Sequence, residues 1–205
     1  MEYRELKVEG AWEFTPKQFG DDRGVFLEWF RDPGFAGSPG FSAATGRTLD
    51  LAQANCSVSA AGVLRGIHFA DVPPGQAKYV TCVRGAILDV VVDLREGSPT
   101  FGQWDSVLLD DVDRRTVFLS EGLGHGFLSL EDNSTVVYLC SSGYDPKREH
   151  GIHPLDSRVG IEWPVLGRDG SPLDFQLSEK DAAAPSLTQA RDSGVLPTYR
   201  EPNRN

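Results

Sequence analysis

Arg65, His68 and Lys78 stand within Gly62–Gly85, GVLRGIHFADVPPGQAKYVTCVRG, where the other residues pattern as strand and turn. An imidazole titrates near neutrality, and guanidinium and ammonium groups attract anions, so the three types suit acid–base work or the binding of a phosphate-bearing ligand. Strand alternation assigns them companions. Lys78 shares a face with Val80 and Cys82, His125 with Phe127 and Ser129, Tyr138 with Val136 and Cys140, and Asp89 with Ile87, Val91 and Asp93. If these strands close into a barrel, His68, Lys78, His125 and Tyr138 can meet in one interior, although alternation leaves open which face points inward. Taken singly, a histidine near a strand end or a tyrosine in a strand is more often a satisfied structural residue. Lys78 is harder to set aside, because an ammonium facing a barrel interior loses its hydration and needs an anion or polar partner. Glu28 and Asp89 are carboxylates that would serve.

The elements that must position these residues are short. Leu51–Ser59, Gly62–Phe69, Ala77–Val83, Ala86–Leu94, Phe101–Leu109, Thr116–Leu119, Gly126–Leu130 and Thr135–Ser141 are apolar runs separated by Gly, Pro, Asp and Asn turns. Regular short strands with no helical period between them predict an all-β antiparallel sandwich or barrel, with a jelly roll the first choice. Before them, Val8–Phe14 and the aromatic strand Val25–Phe30 flank a turn at Gly20–Gly24, and Phe35–Arg47 reads as a mobile loop able to lie beside a site. After them, Trp163–Ser178 is loop-like, and Ser186–Ser193 resembles a short helix that starts after Pro185 and stops at Gly194. Residues 1–205 are read as one domain, with a peripheral tail from about 186 and a loose end after Pro197.

With 205 residues, 40% hydrophobic and 24% charged, the chain can bury a sizeable core. A net charge of −10 argues against a nucleic-acid partner, though not against a small ligand met by a few converging basic residues. No apolar run approaches the ~18 residues of a membrane span, and the charged start MEYRELKVEG is unlike a signal peptide. A cytoplasmic protein with no membrane partner is expected. Cys56, Cys82 and Cys140, odd in number and set among apolar residues, read as buried free thiols.

The spacing also invites a metal test. Cupin jelly rolls hold a metal through His-x-His and Glu from one strand pair and a His from another. Gly62 precedes His68 as in the first cupin motif, and Gly122-Leu123-Gly124-His125 fits the second. The ligand set is nonetheless broken: Ala70 stands at the second His, and Lys78 at the Glu. An ammonium has no lone pair to offer and repels a divalent cation. No metal is expected, and the site reads as one converted to acid–base work.

Asp22-Arg23-Gly24, Glu28, Arg65-Gly66-Ile67-His68, Pro73-Pro74-x-x-Ala77-Lys78, Asp89–Arg95, Gly97–Gly102, His125-Gly126-Phe127, Tyr138, Tyr144-x-Pro146 and Glu149 resemble the dTDP-4-dehydrorhamnose 3,5-epimerase family, and actinobacterial members in particular. The resemblance runs from roughly Gly10 to Pro185. It implies a cupin-type antiparallel jelly-roll barrel, with short helices mainly near the C-terminus, that works as a cofactor-free and metal-free homodimer. The implied substrate is a dTDP-4-keto-6-deoxyhexose, dTDP-4-dehydro-6-deoxy-D-glucose, epimerised at C3 and C5. By matching positions, His68 is the base, oriented by Asp181; Tyr138 is the acid on the other face of the sugar; and Lys78 stabilises the enolate. Arg23, from the partner subunit, and Arg65 would hold the pyrophosphate, with Phe26, Glu28 and Tyr144 near the nucleotide and Gln53, Asn55 and His125 lining the site.

A C4 ketone acidifies the hydrogens on C3 and C5, and inversion needs a second group to return the proton from the opposite side. Two departures stand out: Phe69 where many members carry Gln, and Lys180 where relatives often have Arg. The alternatives are an epimerase acting at C3 or C5 alone in antibiotic deoxysugar synthesis, and a non-catalytic sugar-nucleotide binder or metal-dependent cupin.

Overall fold

The computed structural model describes residues 1–32 and 40–200. The strands are β1 (Glu2–Glu5), β2 (Ala11–Thr15), β3 (Gln18–Asp21), β4 (Gly24–Leu27), β5 (Gln53–Ser59), β6 (Leu64–Ala70), β7 (Lys78–Arg84), β8 (Ala86–Asp93), β9 (Trp104–Asp110), β10 (Thr116–Leu119), β11 (Leu123–Ser129), β12 (Ser134–Cys140) and β13 (Glu149–Gly151). The helices are α1 (Phe41–Thr45), α2 (Glu179–Ala182) and α3 (Leu187–Asp192). A six-stranded sheet, β1-β2-β10-β7-β12-β5, packs against a five-stranded sheet, β13-β6-β11-β8-β9, and β3 and β4 form a hairpin of their own. The paired strands run antiparallel, which makes this the expected jelly-roll sandwich.

Alternation now acquires a direction. Val80, Cys82, Ile87, Val91, Phe127 and Val136 meet in the core between the sheets, with Tyr138 packed against them. The faces that carry Lys78, Asp89, His125 and Tyr138 are therefore the inward ones. A second core lies on the outer side of the five-stranded sheet, where Leu64, Ile67, Val90 and Leu128 are covered by Ile152, Val159, Trp163, Leu187 and Leu196. A third, aromatic cluster covers the other sheet, with Tyr79 at its centre against Phe14, Phe41, Trp29 and Phe30.

Four expectations change. The strand expected over Val25–Phe30 ends at Leu27, because Trp29 and Phe30 turn away to pack on Tyr79, whose hydroxyl donates to the Trp29 carbonyl at 2.8 Å. The loop expected over Phe35–Arg47 lies partly outside the described residues, and its remainder contains α1, held by burial of Phe41 against Phe118 at 4.7 Å. The stretch from 186 is no peripheral tail: Leu187, Ala190 and Leu196 are core residues, α3 carries a Ser186–Gln189 capping box, and the Tyr199 amide bonds the Glu96 carbonyl at 2.9 Å. Cys56 is exposed, whereas Cys82 and Cys140 are the buried free thiols, and burial pushes the Cys82 thiol up to about 11.

Candidate active site

His68 sits on β6 in the five-stranded sheet, and Lys78 and Tyr138 sit on β7 and β12 in the six-stranded one. They project into the sandwich from opposite walls. Close approach of β6 to β11, which puts His68 and His125 in register, depends on glycine. Gly66 has φ +116°, and a Cβ there would lie 2.6 Å from the Gly126 Cα. Any side chain would therefore force the strands apart.

The His68 Nε2 lies 2.6 Å from Asp181 Oδ1. Asp181 belongs to α2, whose first turn is fixed by Ser178, the side chain of which accepts the Asp181 amide at 3.1 Å. Burial raises the Asp181 pKa, but the hydrogen bond and charge of His68, with further bonds from Ser178 and the Gly66 amide, outweigh it and hold the carboxyl below its ordinary value. The carboxylate thus claims the Nε2 proton and leaves Nδ1 with a lone pair for a proton acceptor's task.

On the opposite wall Lys78 is the cross-strand partner of Cys140, and Tyr138 is that of Asn55. Burial pushes the Lys78 pKa down, and the Cys140 sulfur and the carboxylates of Glu149 and Asp89 oppose it. Burial also raises the Tyr138 phenol, as do Cys140 and Glu149, while Arg65 and a hydrogen bond from Asn55 act the other way. The phenol is therefore protonated at neutral pH, as an acid must be. The His125 Nε2 lies 2.8 Å from Asp89 Oδ2, with both residues buried, and Asp89 Oδ1 has no hydrogen-bond partner among the described residues. Asp89, not Glu28, is thus a carboxylate felt by Lys78. Glu28 is exposed and pairs with Arg31.

A cavity of about 410 Å³ opens over this floor, lined by Arg65, His68, Tyr144, Glu149, Lys180 and Asp181 among others. Gln53 and Asn55 line the inner face of β5, half-buried, and their side chains bond each other at 2.8 Å. Arg23, Phe26 and Glu28 are not brought here. Arg23 and Phe26 lie on the exposed hairpin, where Arg23 bonds Asp21. Of the expected residues, Arg65, His68, Tyr144 and Asp181 line the cavity, Lys78, Tyr138, His125, Gln53 and Asn55 lie on inward strand faces, and Arg23, Phe26 and Glu28 do neither. Glu149 was visible in the sequence only as a matched position without a task. Its place in the cavity wall follows from the three-residue strand β13, too short to be read from periodicity, which pairs Glu149 with Ala70 and Gly151 with His68. Among the described residues no cluster of three His, Cys, Asp or Glu side chains is arranged to hold a metal ion, and no helix is long and apolar enough to cross a membrane.

The sequence model described as dTDP-4-dehydrorhamnose 3,5-epimerase matches residues 5–189. The chain belongs to this family. It is 58% identical over 204 residues to the Mycobacterium tuberculosis dTDP-4-dehydrorhamnose 3,5-epimerase, covering 100% of this chain and 96% of that one. It is also 58% identical to a Streptomyces niveus dTDP-4-dehydrorhamnose 3-epimerase, covering 97% and 90% of the two chains. The crystal structure of the Mycobacterium tuberculosis epimerase superposes with a TM-score of 0.89 at 59% identity, covering 97% and 94%. A Streptomyces bikiniensis 3'-monoepimerase in complex with dTDP-quinovose superposes with a TM-score of 0.85 at 50% identity, covering 95% and 92%. Family membership makes the chain an isomerase fold built for dTDP-sugars, and it leaves the choice between one and two inverted carbons to the site itself.

Proposed function

We propose that the protein is a dTDP-4-dehydrorhamnose 3,5-epimerase, converting dTDP-4-dehydro-6-deoxy-D-glucose to dTDP-4-dehydro-L-rhamnose. The observation that carries this reading is the opposition of two proton-handling groups: His68, held by Asp181 on one sheet, faces Tyr138 and Lys78 on the other. His68 Nδ1 takes the hydrogen from C3, and the electron pair moves to the C4 oxygen. The Lys78 ammonium meets that charge in a desolvated site where a fixed cation acts strongly. Tyr138 then gives its proton to the carbon from the other face, and the configuration inverts. Once His68 has released its proton to solvent and Tyr138 has regained one, repetition at C5 completes the reaction.

The 4-keto sugar supplies the acidity, so the residues present need no metal or redox cofactor for these steps. Arg65, with the exposed Lys180 beside it in the cavity wall, provides positive charge for the pyrophosphate. Glu149 and Asp89 oppose the effect of burial on Lys78.

A second copy of the chain completes the site in this reading. The β3–β4 hairpin exposes Phe19, Val25 and Phe26 around Arg23, and β5 is a sheet edge with Ala54, Cys56 and Val58 exposed. An apolar hairpin and an open strand edge on one chain are the ingredients of strand exchange between copies. The free thiols Cys82 and Cys140 suit a cytoplasmic enzyme.

Incubation with the 4-keto sugar nucleotide in deuterated water tests the reading. Deuterium at both C3 and C5, with L-configured product, is expected. Deuterium at C3 alone would establish the single epimerisation, the activity named for a relative of equal identity. No exchange at either carbon would overturn both.

A further inference from the structure

The inward face of β5 carries a directional chain of donors that ends at Cys140, on the same inward face of β12 as Tyr138. The Tyr144 backbone amide donates to Gln53 Oε1 at 2.9 Å, Gln53 Nε2 donates to Asn55 Oδ1 at 2.8 Å, and Asn55 Nδ2 points to Cys140 Sγ at 3.6 Å. Asn55 is the cross-strand partner of Tyr138, and Gln53 is that of Cys140. Direct partners on an antiparallel pair share a face with their Cβ atoms within about 5.5 Å, which puts the Asn55 amide beside the phenol.

The direction of this chain is not arbitrary. A backbone N–H can only donate, so Gln53 must turn its oxygen to Tyr144 and its NH2 to Asn55. Asn55 must then accept on its oxygen and present its own NH2 to the interior. We infer that Gln53 and Asn55 are positioning residues for the acid: they fix a donor, not an acceptor, against the Tyr138 oxygen, so that the phenol's one proton is kept for the substrate carbon. When the Tyr138 O–H bond breaks and the C–H bond forms with the enolate's electron pair, the phenolate left behind accepts the Asn55 N–H. Such a bond exists to the product side of the transfer and favours it. The anchor of the chain, Tyr144, lies on the cavity wall, so the seat of the loop and the polarity of the acid are linked.

This inference rests on the epimerase reading of the same site, and the test separates the two. Asn55→Asp keeps the size and the bond from Gln53 but removes the donor, so that the phenol would turn its proton to the new carboxylate. In deuterated water the wild type is expected to couple exchange to inversion. In Asn55→Asp, inversion should fall by about 100-fold, while solvent deuterium still enters at C3 with retained configuration, so that the ratio of exchange to inversion rises well above that of the wild type, because His68 still removes the proton and returns one from its own side.

Gln53→Glu provides a second variant. Its carboxylate still accepts from Tyr144 but cannot donate to Asn55, which reverses the amide and should give the same split between inversion and retentive exchange. Equal loss of exchange and inversion with a raised KM would show that these residues only bind substrate and would overturn the proposal, as would wild-type behaviour in both variants. Absence of exchange in the wild type itself would sink the epimerase reading instead.

Discussion

His68 and Asp181 lie 2.6 Å apart although 113 positions separate them, and the catalytic argument begins with that contact. Asp181→Asn removes the charge that holds the imidazole's tautomer, and kcat is expected to fall by ~10²–10⁴ with little change in affinity for dTDP. Equal kcat in the variant would mean that the carboxylate only supports α2. Because the Asp181 pKa is lowered on folding, its contribution to stability is complete above the unfolded carboxylate value of about 3.9 and disappears as the pH falls through the lower folded value. Urea unfolding at pH 7 and pH 3 should therefore show a smaller acid-induced loss for Asp181→Asn than for the wild type. Tyr138→Phe keeps the ring in the core and removes only the proton, so exchange without inversion is expected of it. The residue types were legible in the sequence. Their mutual distances were not, because alternation fixes a face but not the sheet to which the face belongs.

The elements differ in how they were written. Strands such as Thr116–Leu119 were read to the residue because each is a clean apolar run between turn residues. β13 and α2 were invisible because three or four residues carry no period, and what creates them is tertiary: β13 exists by pairing with β6, and α2 by the Ser178 cap and the Asp181 contact. α1 was missed for the same reason, since a five-residue helix without a side-chain N-cap survives on burial of Phe41. Phe41→Ala should cost about 3–5 kcal/mol in chemical denaturation. Since the Tyr79 cluster backs Lys78 from outside the site, activity at 25 °C is expected to persist in the surviving folded protein; a loss of activity in fully folded protein would contradict this layering. The Asp93 carboxylate, bound by Arg95, Ser98 and Thr100, holds the turn after β8 in the same way, with burial raising its pKa and those bonds more than reversing the effect.

At the scale of the molecule, the placement of Arg23 and Phe26 on an exposed hairpin turns an expectation about subunits into a measurement. Arg23→Ala and His68→Asn proteins should each be nearly inactive, and mixing them through reversible unfolding should restore about a quarter of wild-type activity if each site borrows the hairpin of its partner in a two-fold dimer. No recovery on mixing would leave every site within one chain. Treatment with a chelator should leave the rate unchanged, and a loss restored by a divalent ion would overturn the metal-free mechanism. The sequence by itself determined most strands of the two sheets, the inventory of acid, base and cation, and the broken metal set at Ala70 and Lys78, because these depend on residue type and local period. Only the tertiary structure decided that His68 faces Lys78 and Tyr138 from the other sheet, that Glu149 joins the wall while Glu28 leaves it, and that an amide chain on an edge strand runs to Cys140, on the face it shares with Tyr138. These are outcomes of sheet order and packing between distant segments, and the spacing of residues along the chain does not contain them.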